Sequence, residues 1–76
     1  MDEEEILDAR GLRCPLPVLK ARKRLKALPP AAELTVIADD PAAVIDVPHF
    51  CAEQGHALLS QSNEGGILTF RLRKGG

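Results

Sequence analysis

Cys14 is the residue of this 76-residue chain whose type and neighbours most clearly allow chemistry. It is followed by the segment Pro15-Leu16-Pro17 and then by a run with helical spacing. Proline suits the first turn of a helix, because its missing N–H would have no partner there. A residue before proline avoids the α region, so Cys14 is predicted to be an extended N-cap. The positive end of the helix dipole and Arg13 should favour the thiolate, which is the nucleophilic form of cysteine.

A structural role for the cysteines is the competing interpretation, because free cysteine is often buried as a small hydrophobe. For Cys14 the residue pattern leaves both interpretations open. Cys51 fits the structural role better, since it sits beside Phe50 and Ala52 and lacks a neighbouring cation. Thiols buried in apolar surroundings are inert, so Cys51 is assigned no function.

Other kinds of reactive site are not indicated by the sequence. His49 and His56 are isolated, and no Cys or His pair has metal-ligand spacing, so neither a metal nor another cofactor is predicted. A Cys–His hydrolase is disfavoured because so small a domain is expected to lack a substrate cleft. His56 follows Gly55 at a turn and is assigned a structural role.

The length and composition predict one domain spanning residues 1–76, with residues 1–5 and the Gly75-Gly76 ending expected to be flexible. Two distant cysteines do not make the disulfide framework of a small secreted protein. No apolar stretch approaches the ~20 residues of a membrane span, and the N-terminus is acidic rather than signal-like. The expected location is therefore the reducing cytoplasm, without membrane association.

Apolar periodicity predicts the elements that must position Cys14. The first is a weakly signalled strand over Ile6–Ala9, followed by a helix over residues 15–28 that ends at Pro29-Pro30. A buried β-branched strand is predicted over Glu33–Ala38. The last two strands are predicted over His56–Ser62 and Ile67–Arg73, with a turn between them.

A second helix is predicted between these strands, opened by Asp40 as N-cap and Pro41 as first helical residue. Pro48 interrupts it, which predicts a kink or two short helices, the second capped by Asp46. Gly55 is placed to end it in left-handed geometry. The resulting order β-α-β-α-β-β predicts an α+β two-layer sandwich: a mixed four-stranded sheet with two helices packed on one face.

Basic residues are concentrated on the first helix, although the net charge is only −1. Six of the ten Lys and Arg residues lie between Arg13 and Lys26. We call the helical ones the basic face: Lys20, Arg22, Lys23, Arg24 and Lys26. Such a face is usually just solvated, but it could also bind RNA or an acidic protein surface. Direct nucleic-acid binding is disfavoured, because no aromatic residues are interleaved to stack on bases.

Several motifs resemble those of the TusA/SirA family of small sulfur carriers. The most specific is Leu7-Asp8-Ala9-Arg10-Gly11-Leu12-Arg13-Cys14-Pro15-Leu16-Pro17-Val18. Further matches are Asp39-Asp40-Pro41, Asp46-Val47-Pro48-His49-Phe50-Cys51, Gly55-His56 and the ending Arg73-Lys74-Gly75-Gly76. Together they cover nearly the whole chain after its acidic start, in the family's order and spacing.

The resemblance implies a function for Cys14, which matches the family cysteine. It implies that Cys14 accepts sulfane sulfur as a persulfide and passes it on. The donor would be a cysteine desulfurase or a rhodanese, and the acceptor another small sulfur-relay protein, with 2-thiouridine in tRNA as one end use. The binding residues that we assign with Cys14 are Arg13, Pro15, Pro17, Lys20, Lys23 and Arg24.

Two other functions remain open. A regulatory or RNA-binding module would use the basic face and would not need Cys14. A thiol redox protein would need a resolving cysteine, and none lies near Cys14 in the sequence.

Overall fold

A computed structural model describes residues 5–75, which form a four-stranded sheet and two helices. The elements are β1 (Glu5–Asp8), α1 (Leu16–Lys26), β2 (Glu33–Ala38), α2 (Ala43–Gln54), β3 (Ala57–Glu64) and β4 (Ile67–Arg73). The strand order is β1-β2-β4-β3, with β1 parallel to β2 and the other pairs antiparallel. The predicted fold class is confirmed.

The core lies between one face of the sheet and the two helices. In β2, the side chains of Leu34, Val36 and Ala38 are fully buried, whereas the two residues between them remain half-buried. Their register partners in β4 are also buried: Leu72, Phe70 and Leu68. The helices contribute Ala21, Leu25, Val47, Phe50 and Cys51 to the same cluster. Burying a large aliphatic or aromatic side chain stabilises the folded state by about 1.5–3 kcal/mol. The contacts on this face therefore determine how the two helices pack against the sheet.

Helix α1 is shorter than predicted, because it begins at Leu16 and ends at Lys26. Pro15 occupies the N-cap position, so the prediction that Cys14 is the N-cap is wrong by one residue. At the other end, the N–H groups of Ala27 and Leu28 bond to carbonyls three residues back. This tightened last turn leads into the two prolines that stop the helix.

Helix α2 runs without a break through Pro48, so the predicted alternative of two short helices, with Asp46 capping the second, is wrong. Proline removes one backbone N–H, and buried residues on both sides of it keep the helix against the sheet, among them Val47 and Phe50. The end of the helix is as predicted. Gly55 has φ of 76°, and the N–H of the next residue bonds to the Cys51 carbonyl.

The chain end is more ordered than expected as far as Gly75. Its N–H donates to Nδ1 of His56 at 3.0 Å. A Cβ at Gly75 would collide with the carbonyl of Gly55, so the backbone approaches closely there. The expectation of a flexible tail is therefore wrong for Gly75, while Gly76 and residues 1–4 lie outside the described residues.

Candidate functional site

Cys14 lies on the loop between β1 and α1, and this loop is tied to the loop after β2. Because β1 and β2 are parallel neighbours, both loops leave the same edge of the sheet. The N–H of Gly11 donates to Asp39 Oδ1 at 2.9 Å. The N–H of Cys14 donates to Asp40 Oδ2 at 2.7 Å. Two backbone-to-carboxylate hydrogen bonds thus hold the cysteine in place.

The Asp40 carboxylate accepts hydrogen bonds from both loops. Its Oδ1 accepts a hydrogen bond from the N–H of Ala42 at 3.1 Å, which orders the turn that precedes α2. The N–H of Cys14, followed by that of Ala42, holds the pKa of the Asp40 carboxyl below its ordinary value. Asp40 therefore acts as a negatively charged anchor, with one hydrogen bond accepted on each oxygen.

The thiol of Cys14 contacts a second carboxylate, that of Asp46. Cys14 Sγ donates to Asp46 Oδ2 at 2.6 Å, although the two residues are 32 positions apart in the sequence. Cys14 itself is exposed, and Asp46 lies half-buried in the first turn of α2. The loop and the two helices therefore bring a nucleophile and a carboxylate together.

The charge around the thiol differs from what the sequence predicts. The hydrogen bond to Asp46 is the largest cause that raises the pKa of Cys14 above its ordinary value, and the charges of Asp46 and Asp40 act in the same direction. The prediction that Arg13 and the helix terminus would favour the thiolate is therefore wrong. The two carboxylates and the desolvation of the thiol all favour its protonated form.

An open groove between α1 and α2, of about 270 Å³, includes Cys14 and Asp46 in its lining. Its other lining residues are Pro15, Val18, Leu19, Arg22, His49, Phe50, Glu53 and Gln54. The groove is open to solvent rather than enclosed, so the expectation that so small a domain lacks a substrate cleft stays a prediction. Two large apolar side chains close to Cys14 and Asp46 in the sequence are exposed: Leu16 is 44% exposed and Ile45 is 74% exposed.

The other predicted site residues fall into two groups. Arg13 and Pro15 flank Cys14 in the chain and are exposed, whereas Pro17 is buried in the first turn of α1. Lys20 and Lys23 are exposed and border a second depression, between α1 and β1. The structure therefore places Pro15 in the groove with the thiol, Arg13 next to Cys14 along the loop, and the two lysines further along the helix.

Arg24 differs from the lysines, because it is used within the fold. Its Nη1 donates to Glu5 Oε1 at 3.0 Å and to the carbonyl of Ile6 at 3.3 Å. These bonds join α1 to the edge strand β1. Arg24 therefore contributes less to the basic face than the sequence predicts.

Residues 5–75 contain neither a metal-binding cluster nor a membrane-spanning helix. Within them, no three His, Cys, Asp or Glu side chains lie close enough together to hold a metal ion. No helix in this range combines the length and the apolar character needed to cross a membrane.

Comparison with known proteins assigns the chain to a family. A family model described as sulfurtransferase TusA matches residues 5–74. The chain belongs to the TusA family. A solved structure of a SirA-like protein from Desulfitobacterium hafniense is similar, with 25% sequence identity and a TM-score of 0.81. The match covers 93% of this chain and 97% of that one.

In this TusA-family chain, sequence reasoning missed the role of Asp46. The residue stands at the start of a motif that carries the family resemblance, but its position two residues before Pro48 indicated a helix cap. A cap interacts with nearby backbone, whereas Asp46 interacts with a side chain from another element. Only the packing of α2 beside the Cys14 loop reveals that contact.

Proposed function

We propose that this TusA-family protein is a sulfur carrier, in which Cys14 accepts sulfane sulfur as a persulfide and passes it to an acceptor protein. The observation that carries this proposal is an exposed cysteine thiol, held by backbone hydrogen bonds, in a member of a sulfurtransferase family. The donor would be a cysteine desulfurase or a rhodanese. The acceptor would be a small sulfur-relay protein, with tRNA thiolation as one end use.

The proposed reaction is an exchange at sulfur. Cys14 Sγ attacks the outer sulfur of the donor's persulfide, so a new S–S bond forms on Cys14 while the donor's S–S bond breaks. The donor's cysteine leaves as a thiol once it has received a proton, and no external oxidant is needed. The second transfer repeats these steps, with Cys14 as the leaving group.

Access to the sulfur supports a role in transfer between proteins. A carrier must present its persulfide to two different partners, and Cys14 is exposed in an open groove that is also lined by the apolar side chains of Val18 and Leu19. Protein interfaces are richer in apolar contacts at their centres. Cys51 lacks this access, since it is only 2% exposed and burial raises the pKa of its thiol.

Docking is assigned to the residues around this end of the molecule and to the exposed part of the basic face. Arg13 and Pro15 would contact a partner directly at the thiol, and Lys20 and Lys23 would attract acidic surface on it. Pro17 and Arg24 would support docking indirectly, because one packs α1 and the other fixes α1 to β1.

Mass spectrometry after incubation with a cysteine desulfurase and cysteine tests the proposal. We expect the intact protein to gain the mass of one sulfur atom at Cys14 and to lose it on treatment with a reductant. Cys51→Ser should behave like the wild type, and Cys14→Ser should gain nothing. The proposal fails if no donor, desulfurase or rhodanese, gives an adduct, or if the adduct persists in Cys14→Ser.

A further inference from the structure

We propose that Asp46 is the proton acceptor for Cys14 in sulfur transfer, a role that rests on the carrier function proposed above. The carboxylate would take the thiol proton while Cys14 Sγ attacks the donor's persulfide. Asp46 would then be a catalytic residue, since it touches the reacting sulfur atom.

The contact between the two side chains is the main support. Asp46 Oδ2 lies 2.6 Å from Cys14 Sγ, within the reach required of a general base. The first turn of α2 supplies Asp46 from a packed element rather than from a mobile loop, because the neighbouring Val47 is fully buried. The carboxylate is therefore already in place before a donor arrives.

Other groups near the thiol are less suited to this role. Asp40 accepts backbone N–H groups on both of its oxygens, so it holds the loop and does not contact Sγ. His49 lines the same groove, but its Nε2 lies 3.6 Å from Glu53 Oε2, and its side chain is 71% exposed. Among the hydrogen bonds of residues 5–75, Asp46 provides the only side-chain acceptor for the thiol.

The charged residues around Cys14 and Asp46 explain why the thiol needs a proton acceptor. These residues come from four segments of the chain. They are Arg13 on the Cys14 loop, Asp40 after β2, Arg22 on α1, and His49 and Glu53 on α2, which also carries Asp46 itself. The carboxylates raise the pKa of Cys14, with Asp46 as the largest cause. A raised pKa favours the protonated sulfur, and this proton must leave as the sulfur attacks.

Atoms and electrons balance in the proposed step. The Cys14 S–H bond breaks and its proton moves to Asp46, while the sulfur electron pair forms a bond to the outer sulfur of the donor's persulfide. The S–S bond of the donor breaks, and its cysteine departs as a thiolate. Asp46 then returns the proton to that thiolate. The products are a persulfide on Cys14 and a thiol on the donor, with no net oxidation.

Two rates measured on the same variants distinguish a proton acceptor at Asp46 from a carboxylate that only raises the pKa of the thiol. In a Cys51→Ser background, alkylation by iodoacetamide reports the thiolate fraction of Cys14. Sulfur uptake from a desulfurase, followed by intact mass, reports the proposed step. We expect Asp46→Asn to speed alkylation, because it lowers the pKa of the thiol. It should slow sulfur uptake by about a hundredfold, the usual effect of losing a general base. Asp46→Glu should restore part of the uptake.

Glu64→Gln is the control, since it removes one exposed carboxylate on β3, away from the groove that holds the thiol. It should leave both rates near those of the parent. The proposal is overturned if Asp46→Asn takes up sulfur as fast as the parent or faster, because Asp46 would then only suppress the thiolate. Should circular dichroism find Asp46→Asn unfolded, Asp46→Ser is measured with the same expectations. A parent protein that takes up no sulfur would instead refute the carrier function itself.

Discussion

At Cys14, the two neighbouring carboxylates have separate tasks. Asp40 binds the backbone N–H of Cys14 and thereby fixes the loop. Asp46 binds the thiol and thereby sets its protonation. Asp40 also acts on the thiol through its charge, which raises the pKa of Cys14 less than Asp46 does.

The anchoring role of Asp40 predicts a dependence of stability on pH. The pKa of Asp40 is lower in the folded protein than its ordinary value, so its contribution to stability is present at neutral pH. That contribution is lost as the pH falls through the lowered pKa. Thermal unfolding midpoints should therefore be lower for Asp40→Asn than for the wild type at neutral pH, and the two curves should converge in acid.

A constant difference between the two unfolding curves at every pH would contradict this account of Asp40. It would mean that the substitution acts through packing or through the turn alone, rather than through the ionised carboxylate.

At the scale of elements, α1 carries both a reactive end and a charged face. The loop before its N-terminus holds Cys14, and its exposed side chains include Lys20 and Lys23. Arg24 is bonded to β1 instead, through Glu5. The exposed part of the basic face therefore consists of Lys20, Arg22, Lys23 and Lys26, and of these Lys20 and Lys23 are the residues assigned to docking.

Reversing the charge of these lysines should affect partner encounter but not the thiol. In the variant with Lys20→Glu and Lys23→Glu, sulfur uptake from a protein donor should slow by about tenfold at low salt, as expected when electrostatic attraction is lost. Added salt should shrink the difference, and alkylation by a small reagent should be unchanged. Arg73→Glu, at an exposed position on β4, is the control.

The same variants also test the RNA-binding alternative. If the basic face serves nucleic acid, tRNA binding at low salt should survive Cys14→Ser and fall in the double lysine variant. Unchanged sulfur uptake by that variant, together with salt-sensitive tRNA binding, would contradict the docking role assigned to the lysines.

At the scale of the whole molecule, local patterns predicted most of the fold. Alternating burial in β2 and β4 follows the alternation of apolar residues in the sequence, because successive side chains of a strand face opposite ways. The stop of α1 before Pro29 and the left-handed Gly55 follow from backbone chemistry that acts over a few residues.

The features that were missed depend on contacts between distant residues. Asp46 meets Cys14 only because α2 packs beside the loop before α1, and Gly75 meets His56 only because β4 returns the chain to the end of α2. The continuity of α2 through Pro48 likewise depends on tertiary packing, which outweighs local propensity. Local sequence patterns carry no information about such pairs.

The measurement that tests the central claim most directly follows a labelled sulfur atom through Cys14. The protein is first loaded by a desulfurase with isotopically labelled cysteine, and then purified and mixed with a sulfur-relay acceptor protein. We predict that the label sits on Cys14 after loading and leaves it for the acceptor's cysteine, so that the carrier returns to its original mass without added reductant. A label that stays on Cys14 with every acceptor tried until a reductant removes it would contradict the account.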